Sequence, residues 1–207
     1  MNQNQQVEVV VRRMMTDGFE SLFRSAIPTA RLSLISESIG ASPILENVAI
    51  YPFDDMMHGQ CFNNCIHLVT VMGGEVLYGW AWHQFHDFLV VAEFHAVWRA
   101  PDGQLIDVTP PPPGRLTTTF SSDPVRVPPD VAPGEIVKGS EPSRRFALKD
   151  LADVAEWISA EDENAAMNRR RFNGGEKAPL AEALPVLERN ANARARLVSL
   201  FRQESKH

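Results

Sequence analysis

The alternation of apolar and polar residues predicts helices near both ends of the chain and strands between them. Residues 7–12 are rich in valine, which is β-branched, and favour a short strand. An apolar stripe at helical spacing starts at Phe19, with Asp17 in position to cap a helix there. From Cys61 to Met72 the apolar residues again follow helical spacing, and Gly73-Gly74 closes that segment. The pattern therefore predicts a helix that begins at a cysteine.

Downstream of this helix the pattern indicates paired strands. Residues 75–82 predict one strand, and residues 88–98 and 104–108 predict the two arms of a β-hairpin. Between the arms, Ala100-Pro101-Asp102-Gly103 combines residues that suit a tight turn. Four prolines follow Thr109 and end the second arm, because proline has no N–H group to donate to a strand ladder.

The pattern of the chain changes near residue 142, from a proline-rich span to helical stripes. Before it, within a proline-rich span, residues 117–120 predict an edge strand. After it, apolar residues between 148 and 158 lie on one helical stripe. Residues 179–203 predict a second helical region, in which Pro185 marks a fresh helix start.

This order of elements is typical of an α+β fold. We expect a cysteine-bearing helix packed on a central antiparallel β-sheet, with a helical C-terminal tail. Residues 1–142 are predicted to form the α+β core that carries the site. Residues 143–207 are predicted to form a helical extension packed on that core.

Composition and charge narrow the class of protein. The 44% hydrophobic and 22% charged residues are ordinary for a globular chain, and a formal charge of −6 without a basic stripe argues against a nucleic-acid partner. No apolar run approaches the roughly 18 residues of a membrane-spanning helix, so no membrane partner is expected. Residues 1–6 lack the features of a secretory signal, and two cysteines form no disulfide framework. The expected compartment is the cytoplasm.

The two arms of the hairpin carry a histidine and a carboxylate. His95 and Asp107 fall opposite each other, or within one residue of opposite, across the turn. An imidazole held in this way serves as a general base, and the carboxylate selects its tautomer. Cys61 lies at the predicted helix start, where the helix dipole favours a thiolate. The sequence therefore predicts a triad of Cys61, His95 and Asp107.

Residues around the cysteine complete the predicted site. Backbone N–H groups at the start of the helix are suitable donors for an oxyanion, and nearby amide side chains are suitable donors for a substrate. Cys65 lies one turn deeper and is interpreted as a core residue. The candidate oxyanion and substrate contacts are Gln60, Phe62, Asn63, Asn64 and Trp80.

The order cysteine, histidine, aspartate resembles that of the papain-like and transglutaminase-like superfamily. Cys61 stands in Gly-Gln-Cys-Phe-Asn-Asn, His95 in Phe-His-Ala-Val-Trp, and Asp107 in Asp-Gly-Gln-Leu-Ile-Asp-Val-Thr-Pro. The last two segments are most similar to bacterial protein-glutaminase and related toxin-like members. One departure is that Gln60 directly precedes the cysteine, whereas papain has its oxyanion glutamine several residues earlier.

The resemblance covers residues 59–110 and implies acyl transfer from an amide through a thioester. The implied reaction is hydrolysis of a peptide or isopeptide, or deamidation of glutamine. The implied partner is a peptide or protein amide substrate, and no cofactor is expected.

Two other interpretations remain open at this point. A zinc site would draw on the cysteines and histidines concentrated between residues 58 and 95, with Cys61, Cys65, His83 and His86 as candidate ligands, although their spacing matches no compact zinc motif. A non-catalytic binding module on the same fold would present tryptophans along a groove. Its candidates are Trp80, Trp82 and Trp98, although tryptophans on alternate strand positions more often belong to a core.

Overall fold

A computed structural model of the chain describes residues 2–128, 141–172 and 179–205. The fold is mixed α+β, as predicted. A short 3-10 helix, Glu20–Leu22, lies between the first helix (Gln3–Thr16) and the first strand (Phe23–Ser25). The helices and strands are α1 (Gln3–Thr16), β1 (Phe23–Ser25), α2 (Ala30–Ser38), β2 (Glu46–Ile50), α3 (Cys61–Met72), β3 (Glu75–Phe85), β4 (Leu89–Arg99), β5 (Leu105–Asp107), β6 (Thr117–Ser122), β7 (Arg144–Ala147), α4 (Ala152–Phe172) and α5 (Leu180–Glu204).

The strands of the described residues form one sheet that closes on itself. Their order is β1-β3-β6-β2-β5-β4-β7, and an additional pairing of β3 with β4 closes a barrel of five strands. β2 pairs with β5 in parallel, whereas β2–β6, β3–β6 and β4–β5 are antiparallel. The expected central antiparallel sheet is therefore found only in part. β6, predicted as an edge strand, lies between β3 and β2.

Apolar side chains from different strands meet in a core within this barrel. Val48, Val97 and Phe120 come from β2, β4 and β6, and partly buried leucines of β3 and β5 pack against them. Gly79 lets β3 approach β6 closely, because a Cβ atom there would collide with the backbone of Ser121. The barrel thus brings residues far apart in the chain onto neighbouring strands.

The chain divides into two compact units. One unit comprises Arg24–Gln84 and Val90–Arg144 and contains α2, α3 and most of the barrel. The other comprises Met1–Phe23, Phe85–Leu89 and Arg145–His207, and in it α5 packs against α1 and α4. The predicted boundary between residues 142 and 143 stays a prediction. Among the described residues, no helix is both long and apolar enough to cross a membrane.

The N-terminal segment differs from the prediction because of its capping. Residues 7–12 lie in α1 and not in a strand: the side chains of Asn2 and Gln5 each accept a hydrogen bond from the other residue's backbone N–H, which starts a helix. Asp17 is the C-cap residue of this helix and does not start the α-helix predicted at Phe19, where its carboxylate accepts the N–H of Phe19 two residues on and a strand follows at Phe23–Ser25. These local hydrogen bonds outweigh the β-propensity of the valines.

Pro185 also differs from its predicted role. It lies inside α5 and does not start a new helix there. It falls in the second turn, so the helix loses one backbone hydrogen bond near its start and continues. By contrast, α3 begins and ends at the predicted residues, and Gly73 follows it with φ of +77°.

Candidate active site

His95 on β4 and Asp107 at the end of β5 are in direct contact. Nε2 of His95 lies 3.0 Å from Oδ2 of Asp107. The register pairs Trp98 with Ile106, so Val97 is the residue opposite Asp107 and His95 is two positions farther along. The two residues are therefore diagonal neighbours and not opposite ones as expected, a separation that an imidazole ring spans.

Cys61 at the start of α3 completes this cluster. Its side chain lies close enough to His95 to raise the pKa of the imidazole through its charge and a hydrogen bond. Because Asp107 occupies Nε2, Nδ1 is the ring nitrogen left for the thiol. Gly59 turns the chain into the helix with φ of +71°, a conformation that other residues rarely adopt. The three predicted triad residues thus meet around one imidazole.

The surroundings of His95 favour its protonated form. Burial opposes its charge, but the negative charge of Asp107, followed by that of Cys61, raises the pKa of His95 well above its ordinary value. The pKa of the Asp107 carboxyl is lowered. Burial acts to raise this pKa, but the charge of His95 outweighs burial. An imidazolium between two acidic partners is the arrangement found in thiolate–imidazolium pairs.

Two threonines hold the carboxylate of Asp107, which is 3% exposed. Thr118 Oγ1 donates a hydrogen bond to Oδ2 over 2.6 Å, and the backbone N–H of Thr109 donates one to Oδ1 over 3.0 Å. Thr109 follows Asp107 by two residues, so its role is a local turn that the sequence signals. Thr118 comes from β6, and nothing local in the sequence points to it.

The start of α3 presents backbone N–H groups beside Cys61. Gln60 makes no side-chain capping bond to the helix, so the first N–H groups of α3 have no capping side chain. Its carboxamide oxygen is buried without a hydrogen-bond partner among the described residues. Backbone N–H groups next to a nucleophile are the donors that an oxyanion hole needs, whereas the unpaired atom of Gln60 is an acceptor. The oxyanion role of Gln60 stays a prediction.

The two asparagines predicted beside the cysteine differ in their surroundings. Both ends of the Asn64 carboxamide bond to the backbone of Met57, over 3.1 Å and 2.9 Å. Asn64 therefore holds the loop before α3. Asn63 is half-buried in the first turn of α3.

The predicted aromatic contacts lie in the interior. Phe62 is buried against Tyr78 and Phe94. Trp80 is fully buried, and its indole N–H donates to Asp123 over 3.0 Å. The side chains of Phe62 and Trp80 therefore pack in the core and do not present a surface to a substrate, although the backbone N–H of Phe62 remains at the start of the helix.

Further charged residues near the triad were not predicted as part of the site. Glu93 precedes His95 by two residues on β4, so both point to the same side of the strand. Its carboxylate lies 3.2 Å from Nε2 of His83. Burial acts to raise the pKa of Glu93, but the hydrogen bond and charge of His83, followed by the charges of His95 and Arg115, lower it to about 2. The negative charges of Glu93 and Asp107 also act on Arg115.

The candidate zinc ligands do not come together. Among the described residues, the one group of three or more side chains placed to hold a metal ion is His86, Asp87 and Glu204. Nζ of Lys149 lies 2.8 Å from Asp87 and 3.4 Å from Glu204, so a side-chain cation already contacts both carboxylates. Cys61, Cys65, His83 and His86, the predicted ligands, form no such group.

Cys65 and the three tryptophans of the binding-module interpretation belong to the core. Cys65 is fully buried; burial, followed by the charges of Cys61 and Asp107, raises the pKa of its thiol well above the ordinary value. Trp80, Trp82 and Trp98 are at most 3% exposed, so they line no groove. Their indole N–H groups donate to Asp123, Ser121 and the carbonyl of Gly73.

No protein family, curated protein or solved structure matches this chain. The resemblance to the papain-like and transglutaminase-like superfamily therefore rests on the residues themselves and on the geometry that joins them.

Proposed function

We propose that this protein is a cysteine-dependent amide hydrolase or acyltransferase of the papain-like and transglutaminase-like type. Cys61 is the nucleophile, His95 the general acid and base, and Asp107 the residue that orients and charges His95. One observation carries the proposal: a single imidazole is bonded on Nε2 by a buried carboxylate and also bonds a thiol at a helix start.

The first half of the reaction is acylation. Sγ of the Cys61 thiolate attacks the amide carbonyl carbon and forms a C–S bond, while the carbonyl electron pair moves to the oxygen. The imidazolium of His95 gives its Nδ1 proton to the leaving nitrogen, the C–N bond breaks, and ammonia or an amine departs. A thioester on Cys61 and a neutral His95 remain.

The second half returns the enzyme to its starting state. His95 takes a proton from water, or from an acceptor amine, as that nucleophile attacks the thioester carbonyl. The C–S bond then breaks, which regenerates the thiolate and the imidazolium. In both halves the oxyanion is stabilised by N–H groups at the start of α3 and by the carboxamide of Gln60.

The proposal extends to fold, substrate and compartment. α3 and the strands that carry His95 and Asp107 would be the catalytic core of a papain-like fold. The substrate would be a peptide or protein amide, either a backbone bond or a glutamine side chain. A reactive free thiol suits a reducing compartment, and the cytoplasm is the one we propose. We propose neither a nucleic-acid nor a membrane partner.

A labelling experiment tests the nucleophile without knowledge of the substrate. The rate of iodoacetamide alkylation at Cys61 is measured against pH by mass spectrometry, in the native protein and in the His95→Ala variant. We expect labelling that stays fast below about pH 7 and that His95→Ala slows at least about tenfold there. His67→Ala, which removes an exposed histidine from α3, is the matched control and should label like wild type. Slow labelling with the profile of an ordinary thiol in all three proteins would overturn the proposal.

Turnover is tested separately with a blocked Gln-Gly dipeptide and with an unfolded protein. Ammonia release and new amino termini distinguish deamidation from peptide cleavage. Cys61→Ala should abolish both signals, whereas Cys65→Ala, which removes the neighbouring thiol, should retain them. Equal activity in Cys61→Ala and wild type would exclude the thioester route.

A further inference from the structure

We propose that Arg115 makes this site selective for substrates that carry a carboxylate beside the reacting amide. This inference rests on the proposed function and names the substrate class of the same site.

Arg115 is a half-buried cation. Among the described residues, no carboxylate forms an ion pair with its guanidinium and no side chain hydrogen-bonds to it. Other arginines that are largely removed from solvent behave differently: Arg126, Arg145 and Arg194 each pair with a carboxylate at 3.0 Å or less. Partial burial of an arginine is costly unless an anion compensates it. Glu93 and Asp107 act on Arg115 through their charges and not through a direct ion pair, so an anionic ligand would add the direct contact.

The position of Arg115 is next to the triad. It precedes Thr118 by three residues, and Thr118 Oγ1 touches Asp107 at 2.6 Å. The charge of Arg115 also acts on Glu93, two residues from His95 on β4, and the charge of Asp107 acts on Arg115. The backbone geometry agrees: Leu116, the next residue, accepts the N–H of Ile50, and Ile50 is the register partner of Asp107, so two strand spacings of about 4.8 Å each separate these backbones. A group bound by Arg115 would therefore lie close to the amide that Cys61 attacks.

The backbone holds this arginine in place. The N–H of Arg115 donates to the carbonyl of Pro112 over 3.3 Å, and the carbonyl of Leu116 accepts the N–H of Ile50 over 3.0 Å. The preceding prolines have fixed φ angles, so this turn loses little conformational entropy when it binds a ligand. Arg115 is thus presented from a pre-organised segment.

The other charges nearby favour an anion over a cation. Glu93 is already paired with His83, so its charge is partly compensated. The charge of Arg24 also reaches Arg115, which places two positive charges in this region. A guanidinium recognises a carboxylate through two parallel hydrogen bonds, a geometry that a neutral amide group does not match as well. The carboxylate could belong to a chain terminus or to an acidic side chain.

The first test compares two alkylating reagents at Cys61. Iodoacetate and iodoacetamide share a leaving group and differ in charge, so the ratio of their rates reports the positive charge near the thiol. We expect Arg115→Gln to lower this ratio by about three- to thirtyfold. The iodoacetamide rate should change by less than about twofold, because Arg115 is not part of the triad. Arg99→Gln, on the same strand as His95 and paired with Glu75 at the surface, is the matched control and should leave the ratio unchanged.

The outcomes separate the two proposals. A wild-type thiol that reacts slowly with iodoacetamide at every pH up to about 8 overturns the proposed function. A reactive thiol whose reagent ratio is the same in wild type and Arg115→Gln overturns only the assignment of Arg115. A normal urea unfolding curve shows that the variant is folded, and Arg115→Lys, which keeps the charge, should retain most of the ratio.

The second test uses turnover of three blocked dipeptides. Gln-Gly with a free carboxylate, Gln-Gly amide and Gln-Glu amide distinguish a terminal carboxylate from an acidic side chain. We expect Arg115→Gln to raise KM about tenfold for the preferred carboxylate substrate, with kcat within about twofold and the neutral amide unaffected. An equal loss for all three substrates would overturn the proposal, because it would indicate a role that does not depend on a carboxylate.

Discussion

Nε2 of His95 donates a hydrogen bond to Oδ2 of Asp107 over 3.0 Å, although the two residues are diagonal neighbours across β4 and β5. The same oxygen accepts the hydroxyl of Thr118 from β6, and the other carboxylate oxygen accepts the N–H of Thr109. The orientation of His95 therefore depends on residues from three strands.

Asp107→Asn should disable His95 without changing the shape of the site. The new amide nitrogen would donate towards Nε2 and favour the tautomer that carries its proton on Nδ1, which cannot accept a proton from Cys61. We expect turnover to fall by about 10²- to 10⁴-fold. Labelling of Cys61 by iodoacetamide near pH 6 should also slow, because the negative charge that raises the pKa of His95 is lost. Asp102→Asn in the hairpin turn is the control; wild-type labelling in Asp107→Asn would contradict the assigned role.

Thr118→Val should disturb the carboxylate of Asp107 less than Asp107→Asn does. The hydroxyl donates to a buried charged acceptor over 2.6 Å, so its loss should lower the free energy of unfolding by about 1 to 3 kcal/mol. It should also raise the pKa of Asp107, since that hydrogen bond helps to lower it. Urea unfolding measures the first effect, and the pH profile of Cys61 labelling should shift less than it does in Asp107→Asn. Thr117→Val, exposed on the same strand, should change neither.

Glu93→Gln should remove a contribution to stability that is present at neutral pH and lost in acid. Because the pKa of Glu93 is lowered to about 2, its contribution is complete above about pH 5 and disappears as the pH falls through 4 towards 2. The side chain is 56% exposed, so solvent screening limits this contribution to about 1 kcal/mol or less.

Urea unfolding at pH values from 7 down to 3 measures this effect. The stability difference between wild type and Glu93→Gln should be largest near neutrality and shrink below about pH 4, as the carboxylate of the wild-type protein becomes protonated. Glu46→Gln, at an exposed position on β2, supplies the control. A difference that stays constant across this range would show that Glu93 adds no stability through its charge.

Arg194→Met should destabilise the unit that contains α1, α4 and α5. The guanidinium is buried, lies 3.0 Å from both Asp17 and Glu20, and stacks 4.7 Å from the ring centre of Phe19. Methionine keeps the apolar stem but leaves the carboxylate of Asp17, which is 13% exposed, without its cation. We expect a loss of about 2 to 4 kcal/mol in the free energy of unfolding.

A second substitution separates charge from packing in this result. Asp17→Asn combined with Arg194→Met should recover part of the loss, because a neutral amide then replaces the largely buried carboxylate of Asp17. Arg196→Met, which breaks an exposed pair with Asp153, should cost less than about 1 kcal/mol. Equal losses in Arg194→Met and Arg196→Met would contradict the importance of the buried pair.

The elements that could be predicted are those with local signals. α3 has apolar residues at helical spacing and a glycine pair after its last turn, and the turn from Ala100 to Gly103 joins β4 and β5 as expected. The errors arose where two local signals competed. The valines of α1 favour a strand, but the capping box of Asn2 and Gln5 favours a helix, and the helix forms.

The residues of the site also divide into those with local signals in the sequence and those without. Cys61, His95 and Asp107 were predictable because a helix start, a strand and a turn are local features that place a thiol, an imidazole and a carboxylate in a known order. Thr118 and Arg115 were not, because they follow a proline-rich span and meet the triad only through the pairing of β6 with β2 and the closure of the barrel. Residue spacing carries information about short-range geometry. Which distant strands become neighbours depends on how the whole sheet buries Val48, Val97 and Phe120 together.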